Sequence, residues 1–116
     1  MKTCQINGKD EPCSEQMENL EKLLSKIPSD NDIEDKSENI KALSDPTRLK
    51  ILYILQGGEL CVCEIIMALN KPQSTISHHL NVLKKAGFIQ GRKEGLWIHY
   101  KLSNNNLLEY IENLEI

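Results

Sequence analysis

The feature that most limits what this chain can fold into is a change of period at Gly87. Before it, "QSTISHHLNVLKKAG" sets Ile76, Leu80 and Leu83 at helical spacing. After it, "FIQGRKEGLWIHYKL" alternates Leu96, Ile98, Tyr100 and Leu102 with Trp97, His99 and Lys101. An apolar stripe repeating about every 3.6 residues belongs to a helix, and a repeat of about two belongs to a strand with one buried face. The helix therefore stops at Gly87. Residues 88–92 supply a partner strand, and "KEG" at 93–95 supplies the hairpin turn.

Upstream of that helix, Val62, Ile65, Ile66 and Leu69 fall at i, i+3, i+4 and i+7, the pattern of a short amphipathic helix. Asn70 and Lys71 then form a turn, and Pro72 suits the opening of the next helix. Two short helices separated by such a turn make a helix-turn-helix. An earlier helix, 46–56, is capped by Asp45, opened by Pro46 and stopped by Gly57 and Gly58, and it presents Leu49, Leu52 and Leu55 inward. Two more precede it. One starts at Ser14 as N-cap, with Met17, Leu20, Leu24 and Ile27 before Pro28; the other starts near Asp32, with Ile33, Ile40 and Leu43. The expected fold is mostly α with a small β-hairpin, a winged helix-turn-helix. Residues 1–30 form an N-terminal arm and first helix, and 31–116 form the winged domain with a terminal dimerisation helix.

The faces of the helix ending at Gly87 differ in a way that bears on function. Opposite its apolar stripe lie Ser74, Ser77, His78, Asn81 and Lys85. An ordinary solvated face is rich in Glu and Lys, whereas these side chains are short, polar and largely uncharged, of the kind that hydrogen-bond base edges in a major groove. Charge is segregated to match. The net charge is −3, yet residues 41–103 carry nine basic and four acidic side chains between acidic ends. A basic segment of this kind suits a polyanionic partner. Arg92 and Lys93 of the hairpin would reach phosphate or the adjacent minor groove. His79, beside Leu80 and Leu83, reads as half-buried packing, and His99 has no evident partner.

The terminal "NNNLLEYIENLEI" reads as a helix with Leu107, Leu108, Ile111 and Leu114 on one side, to be buried on the domain's own core or against another copy. A twofold dimer would set two reading helices about 34 Å apart, one turn of DNA. No apolar run approaches the about 18 residues of a membrane span, and the N-terminus lacks an apolar leader, so a cytoplasmic location is expected. Reducing pools there keep thiols free. The cysteines, Cys4, Cys13, Cys61 and Cys63, are then candidates for metal binding or reactivity.

"ELCVCEI" puts Cys61 and Cys63 at the start of the first helix of the helix-turn-helix, where unpaired N–H groups are expected to lower the thiol pKa. The pair reads as small core residues, as a redox couple or as half of a metal site. Two thiolates cannot fill a tetrahedral shell, so a metal would need further ligands, and Cys4 and Cys13 are the remaining thiols. An enzyme is not expected. There is no β-α-β pattern, no general base near the pair and no room for a substrate pocket.

The words "ALSDPTRLKIL", "ELCVCEI", "QSTISHHLNVLKKAGFI" and "RKEGLWIHYKL", in this order and spacing, resemble the ArsR/SmtB family of winged-helix, metal-responsive repressors. The resemblance covers roughly residues 39–102. It implies a homodimer with the terminal helices at its interface, binding double-stranded operator DNA through Gln73, Ser74, Ser77 and His78, with Thr75 and Asn81 beside them. It also implies that metal releases the DNA. The chain is most similar to the cadmium- and lead-responsive branch, in which arm cysteines from the partner subunit complete a site built on "CVC". Cd(II), Pb(II) or Zn(II) is then the expected inducer, with As(III) or Sb(III) the alternative and a redox signal, or none, behind that. No histidine follows His99, so the zinc site that relatives build on their terminal helices is absent.

Overall fold

The computed structural model describes residues 13–114. The chain divides into two compact units, Met1–Asp35 and Lys36–Ile116. The expected arm, with Cys4, lies outside the described residues.

In the first unit, α1 spans Ser14–Leu24. Cys13 rather than Ser14 takes the N-cap position, and its carbonyl accepts the Met17 N–H at 3.0 Å. Two tight turns, from the Lys26 N–H to the Leu23 carbonyl and from the Ile27 N–H to the Leu24 carbonyl, unwind the chain ahead of Pro28. Helix α2, Asp30–Lys41, then begins. Asp30 and Asp32 in its first turn and Lys41 in its last complement the helix dipole. Neither helix contains a buried residue.

The second unit holds the core. Helix α3, Pro46–Leu55, starts as its sequence requires: the Asp45 carboxylate accepts the Arg48 N–H at 3.0 Å, and Pro46 occupies the first turn, where its missing N–H costs nothing. It buries Ile51, Leu52 and Leu55, while the expected Leu49 is half-buried. Helix α4 is Val62–Leu69, closed by Asn70 in the left-handed region at φ 52°. Helix α5 is Gln73–Lys85. Gly87, at φ +86°, lets the chain reverse so that its own N–H reaches the Lys84 carbonyl and that of Phe88 reaches the Leu83 carbonyl, both at 3.0 Å. These two bonds form a Schellman motif and satisfy carbonyls the helix end would leave open.

Strands β2, Ile89–Glu94, and β3, Trp97–Leu102, pair antiparallel from Ile89↔Leu102 to Glu94↔Trp97. Their connection is only Gly95 and Leu96, with Gly95 at φ +62°. A glycine first in a two-residue turn suits the hand that matches strand twist. The expected turn at 93–95 is thus corrected: Lys93 lies within β2, and Leu96 is at the apex, 93% exposed, rather than on the inner face. A further correction is β1, Leu60–Cys61, which pairs with the other edge of β3 through Leu60↔Tyr100 and Cys61↔His99. The wing is therefore a three-stranded sheet in the order β1-β3-β2.

The core joins Ile51, Leu52 and Leu55 to Ile65, to Ile76, Leu80 and Leu83, and to Ile89, Tyr100, Leu102 and Leu108. Leu108 comes from α6, Leu107–Glu112. Each such aliphatic side chain contributes about 1.5–3 kcal/mol by leaving water. That outweighs any single surface contact, so α5 is held to the domain mainly through its apolar stripe.

Candidate nucleic-acid interface and thiol pair

Packing α5 through Ile76, Leu80 and Leu83, at 0%, 1% and 0% exposure, settles which side faces outward. Gln73, Ser74, His78 and Asn81 are exposed, and Thr75 and Ser77 are half-buried on the flanks. The side chains expected to read DNA are thereby gathered on one helix, presented by a turn whose left-handed Asn70 sets α5 against α4.

His79 occupies the remaining flank. Its side chain is 12% exposed, in line with half-buried packing, but it also belongs to a polar cluster. Arg48 Nη1 donates to His79 Nδ1 at 3.1 Å, Arg48 Nε donates to the Ala42 carbonyl at 2.6 Å, and Nη2 reaches the Lys41 carbonyl at 3.5 Å. Asp45 Oδ2 lies 3.9 Å from His79 Nε2. The His79 pKa is held below its ordinary value, first by burial, with Arg48, His78 and Lys71 adding to the effect and Asp45 opposing it. Sequence reasoning missed Arg48. "DPTR" signals a helix start, but nothing local announces a partner on α5.

In the wing, Arg92 is held by carboxylates. It donates to Glu59, and its Nη2 lies 2.9 Å from Glu94 Oε2. The Arg92 hydrogen bond lowers the Glu59 pKa, and the Glu59 and Glu94 bonds raise that of Arg92. His99 has partners after all: its ring nitrogens lie 3.6 Å from Glu59 Oε1 and from Glu94 Oε2. To meet a phosphate, Arg92 would have to exchange one of these carboxylates for it. Lys93 is exposed.

Cys61 and Cys63 converge. Cys61 is the N-cap of α4 and is 6% exposed, yet it stands outside the contiguous core cluster; Cys63 is exposed. The Cys63 thiol donates to the Cys61 sulfur at 2.7 Å. Glu64 completes the cap by accepting the Cys61 N–H at 3.0 Å. The expected lowering of thiol pKa by the helix N-terminus is not what Cys63 shows: its pKa is raised. Losing the proton costs the bond to Cys61, desolvation and the charge on Cys61 act in the same direction, and only the Glu64 N–H opposes them. Among the described residues, no set of three or more His, Cys, Asp or Glu gathers as a metal site. The pair fits as two donors of a larger set. Cys13 caps α1 and is disulfide-bonded, so reduction must precede any thiolate role. Cys4 lies outside the described residues.

A short helix, a turn, an outward polar helix and a small antiparallel sheet define a winged helix-turn-helix, an architecture of DNA-binding proteins. Residues 45–90 match the family described as bacterial regulatory protein, arsR family. An uncharacterized HTH-type transcriptional regulator of Methanocaldococcus jannaschii is 53% identical over 77 residues, covering 66% of this chain and 86% of that protein. The cadmium resistance transcriptional regulatory protein CadC homolog of Staphylococcus aureus is 42% identical over 67% of this chain and 65% of its own length. The arsenical resistance operon repressor of Escherichia coli is 48% identical over 54% and 55%. The chain therefore spans about two thirds and about half of the lengths of these last two relatives. Among solved structures, a homodimeric winged helix-turn-helix DNA-binding domain from Mycobacterium bovis, of a possible ArsR-family regulator, aligns with a TM-score of 0.65 at 28% identity, covering 77% of this chain and 93% of that one. The chain belongs to the ArsR family of DNA-binding transcriptional regulators, which are not enzymes.

Proposed function

We propose that this protein is a dimeric repressor whose hold on operator DNA is released by a soft metal ion. Gln73, Ser74, Thr75, Ser77, His78 and Asn81 would reach the bases, with Arg92 and Lys93 placed toward the backbone. Cys61 and Cys63 would bind the ion together with Cys4 and with Cys13 once it is reduced. The observation that carries the reading is the convergence of two sulfurs, 2.7 Å apart and one of them exposed, at the head of the helix that precedes α5. A soft ion displaces thiol protons and prefers sulfur over harder donors. The relative named for cadmium resistance supports Cd(II), and Pb(II) and Zn(II) accept the same thiolate donors. The arsenical relative, at 48% identity, supports As(III) or Sb(III) as the second reading.

The ion must distinguish the free from the DNA-bound protein, since equal affinity for both would shift nothing. Reduced protein titrated with each ion in the presence of a fluorescent duplex from its own upstream region tests this. The inducing ion should weaken binding by about 5- to 150-fold and develop thiolate-to-metal absorption. Cys61→Ser and Cys63→Ser should abolish both effects and leave DNA binding in place. Saturated absorption with unchanged DNA affinity would end the proposal. Loss of DNA binding in Cys61→Ser would make the thiols structural.

A further inference from the structure

We infer that Arg48 is a positioning residue for the DNA-reading helix, that it acts only through neutral His79, and that mild acid therefore loosens operator binding. The inference rests on α5 being the helix that faces DNA.

The geometry fixes the protonation state. A guanidinium has five N–H donors and no lone pair to offer. The 3.1 Å contact from Arg48 Nη1 to His79 Nδ1 therefore requires Nδ1 to accept. The single proton of the neutral ring then sits on Nε2, directed toward Asp45 Oδ2 at 3.9 Å. A second proton could go only onto Nδ1, where it would turn the hydrogen bond into a contact between two cationic donors. The groups facing the ring are Asp45 from the junction of α2 and α3, Arg48 from α3, Lys71 from the turn before α5, and His78 on α5 itself. One is negative against two permanent cations, and Asp45 stands beyond hydrogen-bond range. The neutral ring wins, in agreement with a pKa below the ordinary value, caused first by burial.

The consequence for α5 follows from directionality. Ile76, Leu80 and Leu83 fix how deeply the helix is seated, but apolar packing is non-directional and tolerates small rotations about the helix axis. The Arg48 bond is directional and attaches to the flank between exposed His78 and buried Leu80. The other arms of Arg48 are anchored on the carbonyls of Lys41 and Ala42 at the end of α2, acceptors that a helix terminus leaves open. Arg48 thus ties the rotation of α5 to a backbone outside the helix-turn-helix. A lysine would keep the charge and lose the fork.

The test uses the full reduced chain, its own upstream duplex as fluorescent probe, and constant ionic strength, between about pH 7.5 and 5.5, spanning the ordinary imidazole value of about 6.5. Wild-type affinity should fall severalfold across this range, less than the about tenfold that losing one hydrogen bond to a charged group could give, because the ring's pKa lies below the ordinary value. Arg48→Lys should show a comparable loss already at neutral pH and little further loss in acid. His79→Asn retains an acceptor near the Nδ1 position but does not titrate, so it should keep most of the affinity and lose the pH dependence. An unchanged pH profile in His79→Asn overturns the inference. Nitrogen NMR of wild-type His79 without DNA should show protonated Nε2 and bare Nδ1 at neutral pH, and the opposite tautomer overturns it even if a variant fails to fold. If His78→Gln and Asn81→Ala leave DNA affinity unchanged while the tautomer is as expected, the assignment of α5 to DNA has failed instead.

Discussion

Helices α1 and α5 carry apolar residues at the same three- and four-residue spacing, yet their fates differ. Ile76, Leu80 and Leu83 of α5 are essentially inaccessible, whereas Met17, Leu20 and Leu24 of α1 are 44%, 46% and 62% exposed. Periodicity reports that a stripe exists and says nothing of what covers it. For α5 the cover comes from α3, α4 and the sheet, all within the same unit. No residue of α1 is buried, and in the dimer proposed above a second copy would cover its stripe. The exposed Leu114 beyond α6, at 72%, fits the same proposal.

The sharpest way to break this contrast is to truncate one leucine from each stripe. Leu80→Ala should cost about 2–5 kcal/mol in denaturant unfolding, because it removes buried methyl groups and leaves a cavity. That is a large share of the about 5–15 kcal/mol a domain of this size holds. Leu24→Ala should change the stability of the dilute chain by no more than about 0.5 kcal/mol. If α1 meets a second copy, the effect of Leu24→Ala should grow with protein concentration and appear in sedimentation as a lost dimer. A concentration-independent loss as large as that of Leu80→Ala would mean that α1 is covered within its own chain.

A middle-sized effect tests the polar side of the α5 seat. Asp45→Ala removes the cap of α3 and should cost about 1 kcal/mol. The sign of its pH dependence follows from its pKa, which lies below the ordinary 3.8, first because it accepts the Arg48 N–H. The unfolded chain then takes up the proton first, so the stabilisation is full above that value and is lost as pH falls through the depressed one. His79 behaves likewise in a higher window. Its depressed pKa means stability present above about 6.5 and lost as acid forces a proton onto the ring. Thermal unfolding against pH should show both steps in the wild type. Asp45→Ala should lack the lower step and, having removed the one group that favours imidazolium, should move the upper step to lower pH.

What was legible in the sequence was what adjacent residues decide. The stripe of α5, its stop at Gly87 and the alternation toward Tyr100 and Leu102 each depend on a local period, and each is present in the structure. Strand β1 was not legible, because two residues carry no period and its pairing with Tyr100 and His99 spans a long stretch of chain. Leu96 continued the alternation on paper, but the two-residue turn claimed it. In the candidate sites, the outward face of α5 followed from spacing alone. The partners of Arg48 and Arg92 did not, since His79 and Glu59 lie 31 and 33 residues away. The raised pKa of Cys63 depends on a contact between sulfurs, and "CVC" does not say which rotamers make it.

The smallest expected effect concerns the wing, the counterpart of α5 in the interface we propose. The outward side of α5 is mostly uncharged, whereas Arg92 in the wing is already paired with Glu59 and Glu94. An exposed pair of this kind contributes little to stability, so Glu59→Gln should leave the unfolding midpoint almost unchanged. Its effect should appear on DNA. With one carboxylate neutralised, Arg92 can engage a phosphate without giving up an ion pair, and each added phosphate contact steepens the fall of log affinity against log salt by about 0.9. Glu59→Gln should therefore bind a non-operator duplex more tightly at low salt, with a slope steeper by about one contact, and Arg92→Ala should erase that gain when the two are combined. Parallel salt titrations of wild type and Glu59→Gln would instead place Arg92 away from the phosphates. Glu59 and Arg92 would then serve to lock β1 to the far strand of the wing, and α5 would carry the contact alone.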